Sequence, residues 1–153
     1  MTSDVTKRPV RPRHPSVLAW LRLARVFQKI DNASARHFQS WKLSSGKLST
    51  AQFDVLAQVG AAQGITQQEL AGALFVTKGN ISQILDRMEQ QGLVKRCQDG
   101  RTNYIFLTEA GRRLYDKVVP AQELLIAELF SSLSHGEQTQ LMALLRKLDH
   151  GLE

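Results

Sequence analysis

The stretch "ITQQELAGALFVTKGNISQILDRMEQQGLVKRCQDGRTNYIFL", residues 65–107, holds two capped helices and a hairpin in sequence. In its first part Thr66 stands three residues before Glu69, the spacing of a capping box, with Leu70 and Leu74 directed inward and Ile65 available as a short strand residue. Thr77 then caps a second helix in which Ile81, Ile84, Leu85 and Met88 recur at i, i+3, i+4 and i+7, and Gly92 is placed to end it. The opposite face carries Gly79, Gln83, Asp86 and Gln90, flanked by Ser82 and Arg87. A solvated helix is normally filled there with Ala, Glu and Lys, and a glycine costs about 1 kcal/mol of helix propensity. Short amide and hydroxyl groups beside a residue without a side chain suit the reading of base edges in a major groove, where Gln or Asn pairs with adenine and Arg with guanine.

The next segment strengthens that expectation. Asp99-Gly100 is a strong two-residue hairpin signal. A turn at these two residues places Val94 and Ile105 on one face of the ribbon and Leu93 and Phe106 on the other. Lys95, Arg96 and Arg101 would then line a projecting basic hairpin. Two helices joined by a short turn and followed by such a hairpin predict a winged helix-turn-helix, with the second helix in a major groove and Arg101 in the neighbouring minor groove.

Outward from this unit, "STAQFDVLAQVG" (residues 49–60) opens with Ser49 and Gln52 in capping-box spacing and carries Phe53, Leu56 and Val59, a helix that Gly60 should stop. Before it, Trp20, Leu23, Phe27, Ile30, Phe38 and Trp41 recur at helical spacing from Ser16 to about Ser44, interrupted on that face by Ser34, with Gly46 placed to end the helix. After the hairpin, Thr108 caps a helix striped by Leu114, Val118, Ala121, Leu125 and Leu129 and carrying Pro120. Ser134 and Glu137 open another, with Leu141, Leu144, Leu145, Leu148 and Leu152 on one stripe. So many leucines in a terminal helix call for a partner surface, and a two-fold dimer would set two recognition helices about 34 Å apart on one face of DNA.

The chain has 153 residues and a formal net charge of +6, unevenly spread. Residues 1–50 hold ten Lys and Arg against Asp4 and Asp31, whereas from Tyr115 onward the acids outnumber the bases six to three. One end is suited to a polyanion. The start, "TKRPVRPRHP" (residues 6–15), combines proline with repelling cations and is expected to be an extended arm able to track phosphates or a minor groove. No apolar run approaches the roughly 18 residues of a membrane span. A lone cysteine, Cys97, excludes an internal disulfide, which suits the cytoplasm. His14, His37, His135 and His150 have no metal-ligand spacing, and no HExxH, GxSxG, P-loop or GxGxxG occurs, so neither an enzyme nor a cofactor is expected.

From about Leu48 to Gly111, "LSTAQFDVLAQVG", the helix pair and "DGRTNYIFLTEAG" resemble the winged-helix core of the MarR family of bacterial transcriptional regulators, and the flanking long helices match its plan. That family's wing usually carries Asp-Arg-Arg near its tip. Asp99 and Arg101 match the first and third positions, Gly100 stands at the second, and the wing is a few residues short. The expected fold is therefore mainly α with a small β wing, divided into a basic arm (1–15), an N-terminal dimerisation helix (16–48), the winged helix-turn-helix (49–113) and C-terminal dimerisation helices (114–153). Expected DNA contacts are Thr66, Gln67, Thr77, Lys78, Gly79, Asn80, Ser82, Gln83, Arg87, Lys95, Arg96 and Arg101. The resemblance implies a homodimeric regulator on a pseudo-palindromic operator, released by a small aromatic or phenolic ligand between the dimer helices and the winged domain, for which Trp20, Arg22, Arg25 and Phe27 offer rings and cations. Two alternatives are a redox regulator acting through Cys97, which lies beside Arg96 and Lys95, and a protein-binding winged helix without a DNA role.

Overall fold

Ser49, Thr66, Thr77, Thr108 and Ser134 each accept a hydrogen bond from the backbone N–H three residues on, and each starts a helix. Every such cap is worth about 1 kcal/mol. The computed structural model describes residues 14–43 and 46–153. Its elements run α1 (Pro15–Gln39), β1 (Lys42–Leu43), β2 (Gly46–Lys47), α2 (Thr50–Ala61), β3 (Ile65–Thr66), α3 (Gln67–Ala73), α4 (Lys78–Gln90), β4 (Val94–Asp99), β5 (Thr102–Leu107), α5 (Glu109–Leu129) and α6 (His135–His150). The basic arm expected for residues 1–15 lies outside the described residues up to position 13. Pro15 does not belong to it, because it occupies the first turn of α1, where its missing N–H has no helical partner to lose.

The core is the winged unit. Val55, Leu56 and Val59 of α2, Leu70 of α3, Ile81, Leu85 and Met88 of α4, and Ile105 of β5 are all fully buried. β3, β5 and β4 form an antiparallel sheet in that order, with Ile65 opposite Ile105 and Thr66 opposite Tyr104. The long helices join the core at the seam of α1, α2 and α5. There Phe38 stacks on Phe53 at 4.3 Å, and Val118 is fully buried beside Leu48. Ser34 interrupts the apolar face of α1 where α5 crosses, and its Oγ accepts a hydrogen bond from Gln122 Nε2 at 2.8 Å.

Three expected boundaries shift for physical reasons. α1 ends at Gln39 rather than near Ser44, because Ser40 Oγ donates to the His37 carbonyl at 2.6 Å and Phe38 fixes the chain on the core. Gly46 (φ +127°) therefore serves a short β1–β2 hairpin and ends no helix. Gly60 does not stop α2. It sits one residue before the helix's end, and a Cβ there would enter the ring of Tyr115 on α5, so this glycine permits close packing. In the wing, Asp99 pairs with Thr102 and Val94 with Leu107, so the two turn residues are Gly100 and Arg101. Pairing is thus two residues away from the expected register, yet Val94 and Ile105 still share a face because the pleat has a period of two. Gly100 takes φ +61°, the left-handed conformation that the first central position of a tight hairpin turn requires.

The ends of α3 and α4 are built alike but filled differently. After α4, Gly92 N–H donates to the Glu89 carbonyl and Leu93 N–H to the Met88 carbonyl, a Schellman turn with Gly92 at φ +71°. After α3, Phe75 N–H donates to the Gly72 carbonyl and Val76 N–H to the Ala71 carbonyl, the same pair of bonds, with Phe75 at φ +53°. A residue with a Cβ costs roughly 1–2 kcal/mol more than glycine in that conformation.

Candidate nucleic-acid interface

α4 turns Ile81, Leu85 and Met88 inward and so fixes what it shows to solvent. Thr77, Lys78, Gly79, Asn80, Gln83 and Arg87 are exposed, and Ser82 is half-buried. Thr77 Oγ1 accepts from the Asn80 N–H at 3.2 Å, which holds the helix head open with its remaining N–H groups directed outward. A Cβ on Gly79 would meet nothing within 4 Å, so this glycine answers to no neighbour within the chain. Lys78, Arg87, Lys95 and Arg101 stand outside every ion pair among the described residues. Arg101 sits at the tip of the wing, and Lys95 is exposed with its ammonium 6.0 Å from the centre of the Phe106 ring.

Arg96, expected among the DNA contacts, is engaged within the chain. Its guanidinium pairs with both Asp86 and Glu89 on the outer side of α4, leaving its side chain 17% exposed. Along β4 it alternates with Lys95 and Cys97, so its side chain falls on the face opposite theirs. It ties the base of the wing to α4. Of the two charges beside Cys97, that of Arg96 is therefore turned to the opposite face, whereas Lys95 shares the face of the exposed thiol. Thr66 closes its capping box with Glu69 at 2.9 and 3.1 Å, and Gln67 has its Oε1 buried without a hydrogen-bond partner. Thr66 thus supports the head of α3, and both residues are half-buried, whereas Lys78, Asn80, Gln83 and Arg87 of α4 are exposed.

Trp20, Arg22, Arg25 and Phe27 do not share one side of α1. At roughly 100° per residue, Trp20 and Phe27 fall on one side of α1 while Arg22 and Arg25 fall on the other. Trp20 is 66% and Phe27 67% exposed. The recess that does border α1 has a volume of about 610 Å³ and runs from Leu23 to Leu141, Leu145 and Leu148 of α6. A second, polar recess of about 420 Å³ joins Lys47 and Ser49 to Arg87 and Gln90, with buried Gln52 at its floor bridging the Ser49 N–H and Gln91. Sequence reasoning misses Lys47, because the apolar pattern puts it beyond a helix rather than in a hairpin beside α4. It also passes over Phe75, whose signal is a bulky residue where a helix-ending glycine belongs. Among the described residues no group of His, Cys, Asp and Glu could hold a metal ion, and no helix is long and apolar enough to cross a membrane.

Comparison with known proteins gives this geometry its context. A sequence profile described as the MarR family matches residues 47–102. An HTH-type transcriptional regulator of Bacillus cereus is 39% identical, over 86% of this chain and 86% of its own length. Among solved structures, a cysteine-to-serine mutant of MarR from E. coli complexed with operator DNA is 28% identical, with a TM-score of 0.75 over 87% of this chain and 95% of that one. An S. aureus MepR-DNA complex is 27% identical, with a TM-score of 0.69 over 93% of this chain and all of that one (100%).

Proposed function

Because the chain belongs to the MarR family of transcriptional regulators, we propose that it works as a homodimeric repressor that grips a pseudo-palindromic operator. The observation that carries the reading is the outer face of α4. Short polar side chains and an uncrowded glycine are exposed there, between Lys78 and Arg87 of the helix and Lys95 and Arg101 of the wing, which stand outside every ion pair among the described residues. In this reading Thr77, Lys78 and Asn80 take phosphates or base edges at the groove's margin, and Ser82, Gln83 and Arg87 read its floor. Arg101 lies in the adjacent minor groove and Lys95 beside the backbone. Occlusion of the promoter then represses, and the polar recess at Lys47 and Arg87 adds cations at the far end of the same helix.

The test is operator binding across a salt titration. Removing one phosphate contact should reduce the slope of log affinity against log salt by about one. Arg101→Ala should weaken every duplex and flatten the slope, whereas Gln83→Ala should relax preference at one base position and leave the slope alone. An Arg101→Ala protein with an unchanged slope removes the wing from the interface. Control by a small aromatic or phenolic effector is the part of the proposal that rests on the family. Calorimetry with a panel of aromatic carboxylates tests it, and binding by none of them removes it.

A further inference from the structure

Phe75 has no role among these operator contacts. It holds the position after α3 that Gly92 holds after α4, in the same pattern of hydrogen bonds and at φ +53°. Phe75 is 97% exposed, so among the described residues it gains no packing in return for the strained backbone. A bulky residue held in such a conformation with no support from its own fold points to a contact made outside it.

Its position indicates with what. Phe75 stands two residues before Thr77, the cap of α4, and so borders the corner where Lys78, Gly79 and Asn80 are exposed. One turn back on α3, Gly72 is exposed, and a Cβ there would meet nothing within 4 Å, so the approach to the ring is open. Cations in this corner can seek phosphates, but they cannot recognise the apolar parts of a nucleotide. We infer that Phe75 is a DNA-contacting residue whose ring lies against the apolar edge of a nucleotide at the margin of the major groove, either a thymine methyl or the face of a deoxyribose. The inference rests on the operator-binding reading. An apolar contact releases no counterion, which makes it separable by salt from the lysine and arginine contacts.

The experiment compares Phe75→Gly and Phe75→Tyr with the wild type for thermal unfolding and for operator binding over a salt series. Phe75→Gly removes both strain and ring. It should raise Tm and yet bind the operator about tenfold more weakly with an unchanged salt slope, the factor expected for loss of one specific contact. Phe75→Tyr keeps the ring and should keep the affinity. Operators carrying deoxyuridine in place of thymine separate the two partners. Equal binding by wild type and Phe75→Gly on such DNA assigns the ring to a thymine methyl, and a persisting difference assigns it to the sugar. If Phe75→Gly binds the thymine operator as tightly as the wild type, or loses affinity with a flattened slope, the inference falls alone. Retained affinity with loss of repression in a reporter assay would place the ring against a protein and also overturn it. A wild type that prefers no duplex over random competitor overturns the operator reading along with it.

Discussion

Two glycines of the winged unit answer to opposite constraints. A Cβ on Gly111 would run into the backbone carbonyl of Leu93, which already accepts the Thr108 N–H at 3.1 Å and cannot yield without moving the start of α5. Gly111→Ala should therefore destabilise the fold by about 2–4 kcal/mol. A urea titration should show a lower midpoint, while the protein that remains folded binds operator as before. Gly79 has open space, so Gly79→Ala should stabilise the helix by up to about 1 kcal/mol and at the same time weaken operator binding. Stabilisation without any loss of binding would show that no surface comes close to it. The peculiarity of Gly79 is visible in the sequence, as a glycine inside a helical apolar period. That of Gly111 is hidden, because the carbonyl it must avoid belongs to the residue before β4. Phe75 shows in the sequence only as a bulky residue where a helix-ending glycine belongs, since the apolar pattern of α3 closes at Leu74 and periodicity is silent about the φ angle of the residue after it.

Between elements, a single side chain joins the wing to α4. Arg96→Ala leaves Asp86 and Glu89 adjacent with no cation between them, and the wing loses its tie to the helix. The expected cost in stability is about 1 kcal/mol, since both carboxylates are substantially exposed. Operator binding should weaken through a displaced wing while the salt slope stays near that of the wild type, in contrast to Arg101→Ala. A flattened slope would put Arg96 back among the phosphate contacts. Between α1 and α2, the exposed Asp54 carboxyl is raised above its ordinary value of 3.8 first by the loss of part of its surrounding water and then by the charge of Asp31. A raised carboxyl favours the neutral form in the folded state. Its contribution to stability is therefore complete below 3.8 and is lost as the pH rises through the folded value. Asp54→Asn should consequently raise Tm at pH 7, and the gain should shrink toward zero as the pH falls below the carboxylate range. A gain that persists in acid would assign the effect to something other than charge. At this scale the sequence conveys faces better than registers. The alternation of Val94, Arg96, Ile105 and Leu107 survives a shift of two residues, and since Val94 would lie opposite a buried residue in either register, the turn at Gly100 and Arg101, with Gly100 at φ +61°, goes with the pairing observed.

Across the whole molecule, apolar surface divides unevenly between the winged unit and the long helices. The winged unit buries its large aliphatic side chains, whereas α6 buries none of its residues. Gln138 ties the first turn of α6 to the Phe130 and Leu133 carbonyls at 3.2 and 3.1 Å, and beyond it Leu144, Leu148 and Leu152 are 66%, 53% and 78% exposed. Val17, Leu18, Trp20, Leu21 and Phe27 of α1 are exposed as well. The leucine stripe already signals a missing partner in the sequence, but it cannot say that the first half of α1 is as bare as α6, because periodicity marks an apolar face and not what covers it. Surface of this extent on two helices is expected to be shared with a second copy, and a two-fold arrangement closes without leaving a face to propagate. Leu148→Asp places a charge in that seam and should convert the dimer to a monomer by light scattering at micromolar concentration, with the winged unit still folded by circular dichroism. Operator affinity should then fall by at least about a hundredfold, because two linked half-site contacts become one. A Leu148→Asp protein that stays dimeric and binds normally would mean that α6 covers something other than its own copy, and the two recognition helices would need another means of reaching adjacent turns of the same duplex.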